Sequence, residues 1–251
     1  MTNSLYTLIL LLFSSSIFAD EPIALITKLR GNSKYKIPSE SKFRSNAQIN
    51  TPIFHGNIIK TKAKSFSQVV YLDDRSTVSA YSKTEVTING TIESRMIDKQ
   101  VDVMTGILKV KIFNQIISEF KLTTPHSELT CNECAFWVIC DKEEGDRFYK
   151  ISGNVLVKNP SMDETLELVN DSTIISLKGT KMELTQTPIT HRKYLESLMI
   201  EVDEIPGKSD EELAMRRKIE DQPPEATSHI LEIRLKNALN IERKIILTYI
   251  K

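Results

Sequence analysis

Chemistry-bearing residues are scarce in this sequence, which has three cysteines, four histidines and a single tryptophan among 251 residues. It contains no Gly-rich phosphate loop, no Ser-centred nucleophile elbow and no HExxH run, so the usual sequence grounds for a nucleotide-binding or hydrolytic enzyme are missing. No catalytic residue and no cofactor site is expected. Excess charge is missing too. Lys plus Arg and Asp plus Glu both number 33, giving a formal net charge of zero, and nothing steers the chain towards nucleic acid or an anionic membrane. Beyond the N-terminus no apolar run approaches membrane-spanning length. Before residue 187 no helical periodicity separates the strand-like runs, which excludes a parallel α/β sheet.

What is present begins with an export signal. Residues 1–19 carry no charged side chain, and Leu5 to Phe18 are mostly Leu, Ile, Phe and Ser. A helix over that stretch would be about 21 Å long, short of the ~30 Å hydrocarbon core. A signal peptide needs such a short apolar run and then a small residue at the cut. Cleavage is expected after Ala19, before Asp20-Glu21-Pro22. The n-region lacks Lys and Arg, and Ile17 is bulky for its place, so a retained N-terminal anchor is the competing expectation. No Cys near the junction supports lipidation. Cleavage would leave 232 residues of a periplasmic or secreted protein, enough for one large or two small domains with no stable membrane span.

From Glu21 to Thr187 short β-branched or apolar runs alternate with turn residues. They include Ile23 to Leu29, Ser67 to Leu72, Thr77 to Ser79, Ile107 to Phe113, Phe120 to Thr123, Phe136 to Cys140, Phe148 to Ile151 and Val155 to Val157. Leu166 to Val169, Ile174 to Leu177 and Met182 to Leu184 complete the series. Asp73-Asp74 and Ser152-Gly153-Asn154 read as turns. Asn89-Gly90, inside an alternating run, predicts a type I′ hairpin turn. The expected fold is an all-β body over residues 20–187, an antiparallel sandwich, roll or solenoid-like stack, followed by a helical segment over 188–251.

In that segment Leu195, Leu198, Met199 and Val202 have helical spacing from Arg192 to Glu204. A second helix is expected from Ser209 to the Pro223-Pro224 break. A third is expected from Glu225 to Tyr249, with Leu231, Leu235, Leu239 and Ile246 on one apolar face. That face suits either docking on the β body or binding a partner.

Several strands share a more specific order. Gly56-Asn57-Ile58-Ile59-Lys60-Thr61, Leu72-Asp73-Asp74-Arg75-Ser76 and Ser82-Lys83-Thr84-Glu85-Val86 come in sequence. Gly106-Ile107-Leu108-Lys109-Val110, Leu122-Thr123-Thr124-Pro125 and Ile151-Ser152-Gly153-Asn154-Val155 follow. This series, from Ile23 to Leu184, resembles the FecR domain. The resemblance implies structural roles for Gly56, Asp73, Asp74, Gly106, Pro125 and Gly153. It also implies an extracytoplasmic β module that serves protein contacts and envelope signalling without catalytic residues. The cytoplasmic sigma-binding segment and membrane span of well-known members have no counterpart here. Asn57 stands where the family usually has Asp. Thr130-Cys131-Asn132-Glu133-Cys134 replaces the family's Gly-Val-Arg-Gly-Thr, so a Cys131–Cys134 disulfide would restore the constraint lost with two glycines.

In an exported chain Cys131 and Cys134 are first a candidate disulfide. Cys134, Phe136, Val138 and Cys140 alternate on one strand face, which makes Cys140 a small buried hydrophobe. Two alternatives compete. A thiol-redox site needs the CxxC at a helix N-terminus, whereas this one leads into a strand. Zinc held by His126, Cys131, Cys134 and Cys140 would have irregular ligand spacing. The expected function is a non-catalytic envelope module binding another protein. A wall- or glycan-binding module is the alternative, and a thiol or zinc enzyme ranks behind both.

Overall fold

A computed structural model describes residues 21–43, 45–116, 118–203, 228–236 and 242–250. The expected signal peptide and the helix expected from Ser209 lie outside the described residues. The chain divides into two compact units, Met1–Gly207 and Lys208–Lys251.

In the first unit the described strands run in chain order as β1 (Ala24–Arg30), β2 (Ser33–Lys36), β3 (Ser45–Asn46), β4 (Pro52–Ile53), β5 (Asn57–Thr61), β6 (Phe66–Tyr71), β7 (Thr77–Ala80) and β8 (Glu85–Glu93). They continue as β9 (Met96–Ile112), β10 (Phe120–Thr123), β11 (Glu128–Cys131), β12 (Cys134–Asp141), β13 (Gly145–Gly153), β14 (Leu156–Asn159), β15 (Glu164–Glu167), β16 (Ser172–Ser176) and β17 (Glu183–Gln186). The helix α1 (Ile189–Asp203) follows.

Hydrogen bonding arranges these strands as two sheets. The first runs β4-β1-β6-β7-β9-β12-β13-β16-β17. The second runs β3-β2-β5-β8-β9-β10-β11-β14-β15. Pairing is antiparallel except between β9 and β10. Inward residues of both sheets, among them Ile26, Tyr71, Val110 and Phe148 from the first and Ile59, Val101, Leu122 and Val157 from the second, form one hydrophobic cluster. Two sheets closing over one core is the expected outcome for strands with one apolar face. The all-β body anticipated from the strand series is therefore present.

β9 belongs to both sheets. Residues up to Thr105 pair with β8, while Gly106 to Ile112 pair with β12. The change of sheet falls at Gly106, whose φ is 106°. A Cβ there would lie 2.3 Å from Thr84 Oγ1, so only glycine allows the strand to bend against Thr84. The Thr84 hydroxyl completes the corner by accepting from Ile107 N at 3.0 Å and donating to Ile107 O at 3.1 Å.

The hairpin turn expected at Asn89-Gly90 is not there. Both residues sit within β8, opposite Gln100 and Lys99, and the strand reverses at Ser94-Arg95, with φ of 49° and 68°. Packing explains the glycine, because a Cβ at Gly90 would lie 2.7 Å from Ile97 Cγ2. Alternation of Val86, Ile88, Ile97, Val101 and Val103 over the core outweighs the local turn preference of the pair.

Outward residues of the first sheet form a second cluster, Phe66, Tyr81, Trp137 and Tyr149, covered by Leu195 with Leu198 and Met199. The helix thus packs on the β body through the face that its spacing indicated, each fully buried apolar side chain contributing about 2 kcal/mol. It starts three residues earlier than the periodicity suggests, because Pro188 O already accepts from His191 N and Arg192 N.

In the second unit the helix expected over residues 225–249 is replaced by two strands, β18 (Ser228–Lys236) and β19 (Glu242–Ile250). They pair antiparallel, with Leu231 opposite Leu247 and Ile233 opposite Ile245. Leu231, Leu235 and Ile246 therefore belong to strands and not to a partner-binding helix, and Leu239 lies outside the described residues. Ile230, Ile233, Ile245, Ile246 and Thr248 are β-branched, which favours extended backbone, and 231, 233 and 235 also fit a period of two.

Candidate functional site

The most highly organised polar site sits at the turn after β6. Arg75, with φ of 66°, reverses the chain, and Asp74 braces it by accepting from Ser76 N at 2.8 Å and Ser76 Oγ at 2.9 Å. Lys99 reaches this turn from β9. Its residue exposure is 2%, and its Nζ lies 2.6 Å from Asp73 Oδ2 and 3.0 Å from Asp74 Oδ2. Nζ also donates to Ile97 O and to Gln115 Oε1, both at 3.1 Å. Gln115 Nε2 donates to Asp74 Oδ2 at 2.7 Å. Asp73 Oδ2 accepts from Ile97 N at 2.9 Å, while its Oδ1 is buried without a partner.

Burial alone would push the Asp74 carboxyl up, but the Ser76 N–H and the Lys99 ammonium hold it below the usual range. The buried Tyr71 ring lies 5.5 Å from Nζ. Burial and the neighbouring Asp73 and Asp74 charges push its hydroxyl far above the usual phenol range. Asp73 and Asp74 were expected from the sequence; Lys99 was not. The signal was available, since Ile97, Lys99, Val101 and Val103 alternate on one face, which puts a lysine at a core position.

A second buried carboxylate has no lysine. Asp146 on β13 is fully buried and accepts from the Thr124 hydroxyl and from His126 N at 3.2 Å. Its Oδ1, both His126 ring nitrogens and Ser127 Oγ are buried without partners. Burial pushes the Asp146 carboxyl up, and the Thr124 and His126 contacts only partly oppose it. The buried Cys140 thiol is pushed well up, first by burial and then by Asp146, the opposite of a reactive thiolate. Pro125 is exposed in the turn between β10 and β11, beside this cluster.

Cys131 and Cys134 are joined in a disulfide. It bridges the end of β11 in the second sheet and the start of β12 in the first. Gly153 pairs with Cys134, and a Cβ there would lie 2.0 Å from Glu133 O, so the glycine is required by the tight passage between sheets. Gly56, with φ of 76°, ends the turn into β5. The zinc set considered from the sequence is not assembled, and no cluster of three or more His, Cys, Asp or Glu suited to a metal occurs among the described residues.

A cleft of about 340 Å³ opens between α1 and the outward face of the first sheet, lined by Trp137, Tyr149, Ile151, Arg192, Leu195 and Met199 among others. Tyr149 Oη and His191 Nδ1 meet at 3.1 Å, and Arg192 pairs with Asp171 at 3.0 Å. These contacts pin the first turns of the helix. Ile151 is exposed at the cleft, and the exposed Ile189 lines an adjoining hollow that shares Thr187 and Arg192 with it. No helix among the described residues is long and apolar enough to cross a membrane.

The body is thus a two-sheet β domain with one helix packed outside. No protein-family model matches the chain, and no curated protein sequence matches it. Its structure is similar to two crystal structures of a candidate anti-sigma factor from Parabacteroides distasonis ATCC 8503. Both are 14% identical, with TM-scores of 0.46 and 0.45. Each covers 76% of this chain, and the matches span 97% and 99% of those chains.

Proposed function

We propose that this chain is an exported, non-catalytic FecR-like module that binds another protein of the cell envelope through the cleft beside α1. The observation that carries this is the cleft of about 340 Å³ between α1 and the outward face of the first sheet, where Ile151 is 44% exposed near Arg192. An exposed apolar side chain with an arginine at the margin suits a protein contact, in which a few anchors supply most of the binding energy. A glycan platform fits less well, because Trp137 is only 3% exposed and offers no open ring face. Export is supported by the charge-free N-terminus and by the Cys131–Cys134 disulfide, since such bonds persist in oxidising compartments.

Photo-crosslinking residues placed at Ile151 and Glu196 in the native envelope test the contact. Both positions should capture one and the same protein, and Lys121 on the second sheet should not. Retention on peptidoglycan with no protein adduct at either position would replace this function with wall binding. Export has its own measurement. Mature material should begin at Asp20, and an intact Met1 in the cytoplasm would refute it.

A further inference from the structure

The Lys99 site has a geometry that a simple ion pair does not require. The amine and the Asp73 carboxylate lie 26 residues apart in sequence, yet meet at 2.6 Å in the interior. Their side chains are 1% and 6% exposed. A second carboxylate, Asp74, stands 3.0 Å from the same nitrogen with 22% of its side chain exposed. The Tyr71 ring closes one side. The two Asp73 oxygens are unequal: Oδ2 is held by Ile97 N–H, and Oδ1 is buried with no partner.

We propose that Lys99 and Asp73 form an intramolecular amide bond, with Asp74 relaying the protons. Asp74 takes a proton from the Lys99 ammonium and passes it to Asp73 Oδ1, and the freed amine attacks Cγ of the carboxyl so neutralised. Charge that develops on Oδ2 is met by the Ile97 N–H, in the manner of an oxyanion hole. A second proton then moves from the nitrogen to Oδ1 by way of Asp74, and Oδ1 leaves as water. One N–C bond forms and one C–O bond breaks. The ammonium and carboxylate charges cancel, Asp74 ends as it began, and no oxidant or co-reactant is consumed. The site itself favours this direction. In water a separated ammonium and carboxylate are well solvated, whereas burial penalises both charges and leaves a neutral amide far less affected. The product would tie the turn after β6 to β9, the strand shared by both sheets, and shrink the unfolded ensemble as a disulfide does.

Mass spectrometry of the purified wild-type chain decides the matter. The intact mass should fall short of the sequence mass by one water, beyond the two hydrogens lost to the disulfide. Proteolysis after reduction should release a branched peptide joining Lys99 to Asp73. Asp74→Asn keeps the shape and removes the relay, so it should restore the missing water and leave the two residues in separate peptides. Lys99→Arg should do the same, and should lower the thermal midpoint as well. The wild-type peptide map stands even where a variant fails to fold. A full-mass wild-type protein with Lys99 and Asp73 in separate peptides would overturn the proposal and leave the site as an ion pair alone.

Discussion

Two groups of carboxylates are buried in the same β body and kept there by different means. At the turn after β6, Asp73 and Asp74 share the Lys99 ammonium, and Asp74 is held below its ordinary range. On β13, Asp146 receives a hydroxyl and a backbone N–H, and its carboxyl is pushed up. Both lose hydration on folding. What separates them is that Asp74 keeps 22% of its side chain exposed and has both the Ser76 N–H and a full positive charge within 3.0 Å. At Asp146 neutral donors offset only part of the desolvation, whereas at Asp74 the Ser76 N–H and the Lys99 ammonium together exceed it, and the sign of the shift follows.

The most damaging way to break this contrast is to remove the charge that defines it. Lys99→Met keeps the length of the side chain but leaves two carboxylates without their cation. It should cost about 3–5 kcal/mol in urea-unfolding free energy. Adding Asp73→Asn should recover part of that loss, and a double-mutant cycle measures the coupling.

Acid titration of stability sharpens the comparison with a smaller effect. Asp74 is lowered in the folded state, so its contribution is present above the ordinary carboxylate range and fades as pH falls through its folded value. Asp146 is raised, so its contribution is greatest below that range and is lost as pH climbs through its folded value. In a Lys99→Arg background, where no amide forms and the positive charge is kept, Asp74→Asn should cost about 1.5–3 kcal/mol at neutral pH by weakening charge-assisted hydrogen bonds. It should also flatten the fall in urea midpoint on acidification. Asp146→Asn should change neutral stability by no more than about 1 kcal/mol and make the acid fall steeper. Parallel slopes for the two variants would show that the clusters are not opposed.

The smallest effect is a thiol count around Asp146. Folded protein should show no reactive thiol, because Cys140 is buried beside that carboxylate. Denaturation without reductant should expose one thiol, and reduction should expose three. The Cys131–Cys134 bond closes so short a loop that its reduction should lower stability by only about 2 kcal/mol.

Much of the β body was legible before its structure. The runs at Ile23 to Leu29, Ser67 to Leu72 and Phe136 to Cys140 correspond to β1, β6 and β12, because alternation over a core is written locally. Gly106 and Gly153 stood out by motif, and each meets backbone or a side chain that excludes a Cβ. Asn89-Gly90 misled because its turn preference is worth less than the core pairing of the strand around it. Residues 225–249 misled for another reason. Their apolar positions satisfy a helical wheel as well as strand alternation, and periodicity alone does not separate the two. Lys99 was overlooked because its partners are distant in sequence.

Within the β body the sequence by itself determined most of where strands form and which faces are apolar, and it placed the helix that follows at Leu195, Leu198 and Met199, since these depend on neighbours a few residues apart. Tertiary structure alone decided that β9 serves two sheets and that Lys99 meets Asp73 and Asp74. It also decided that Asp146 is buried without a countercharge. Each of those outcomes depends on which segments pack together, and so on burial and charge brought together across the chain. Local propensity does not encode such meetings.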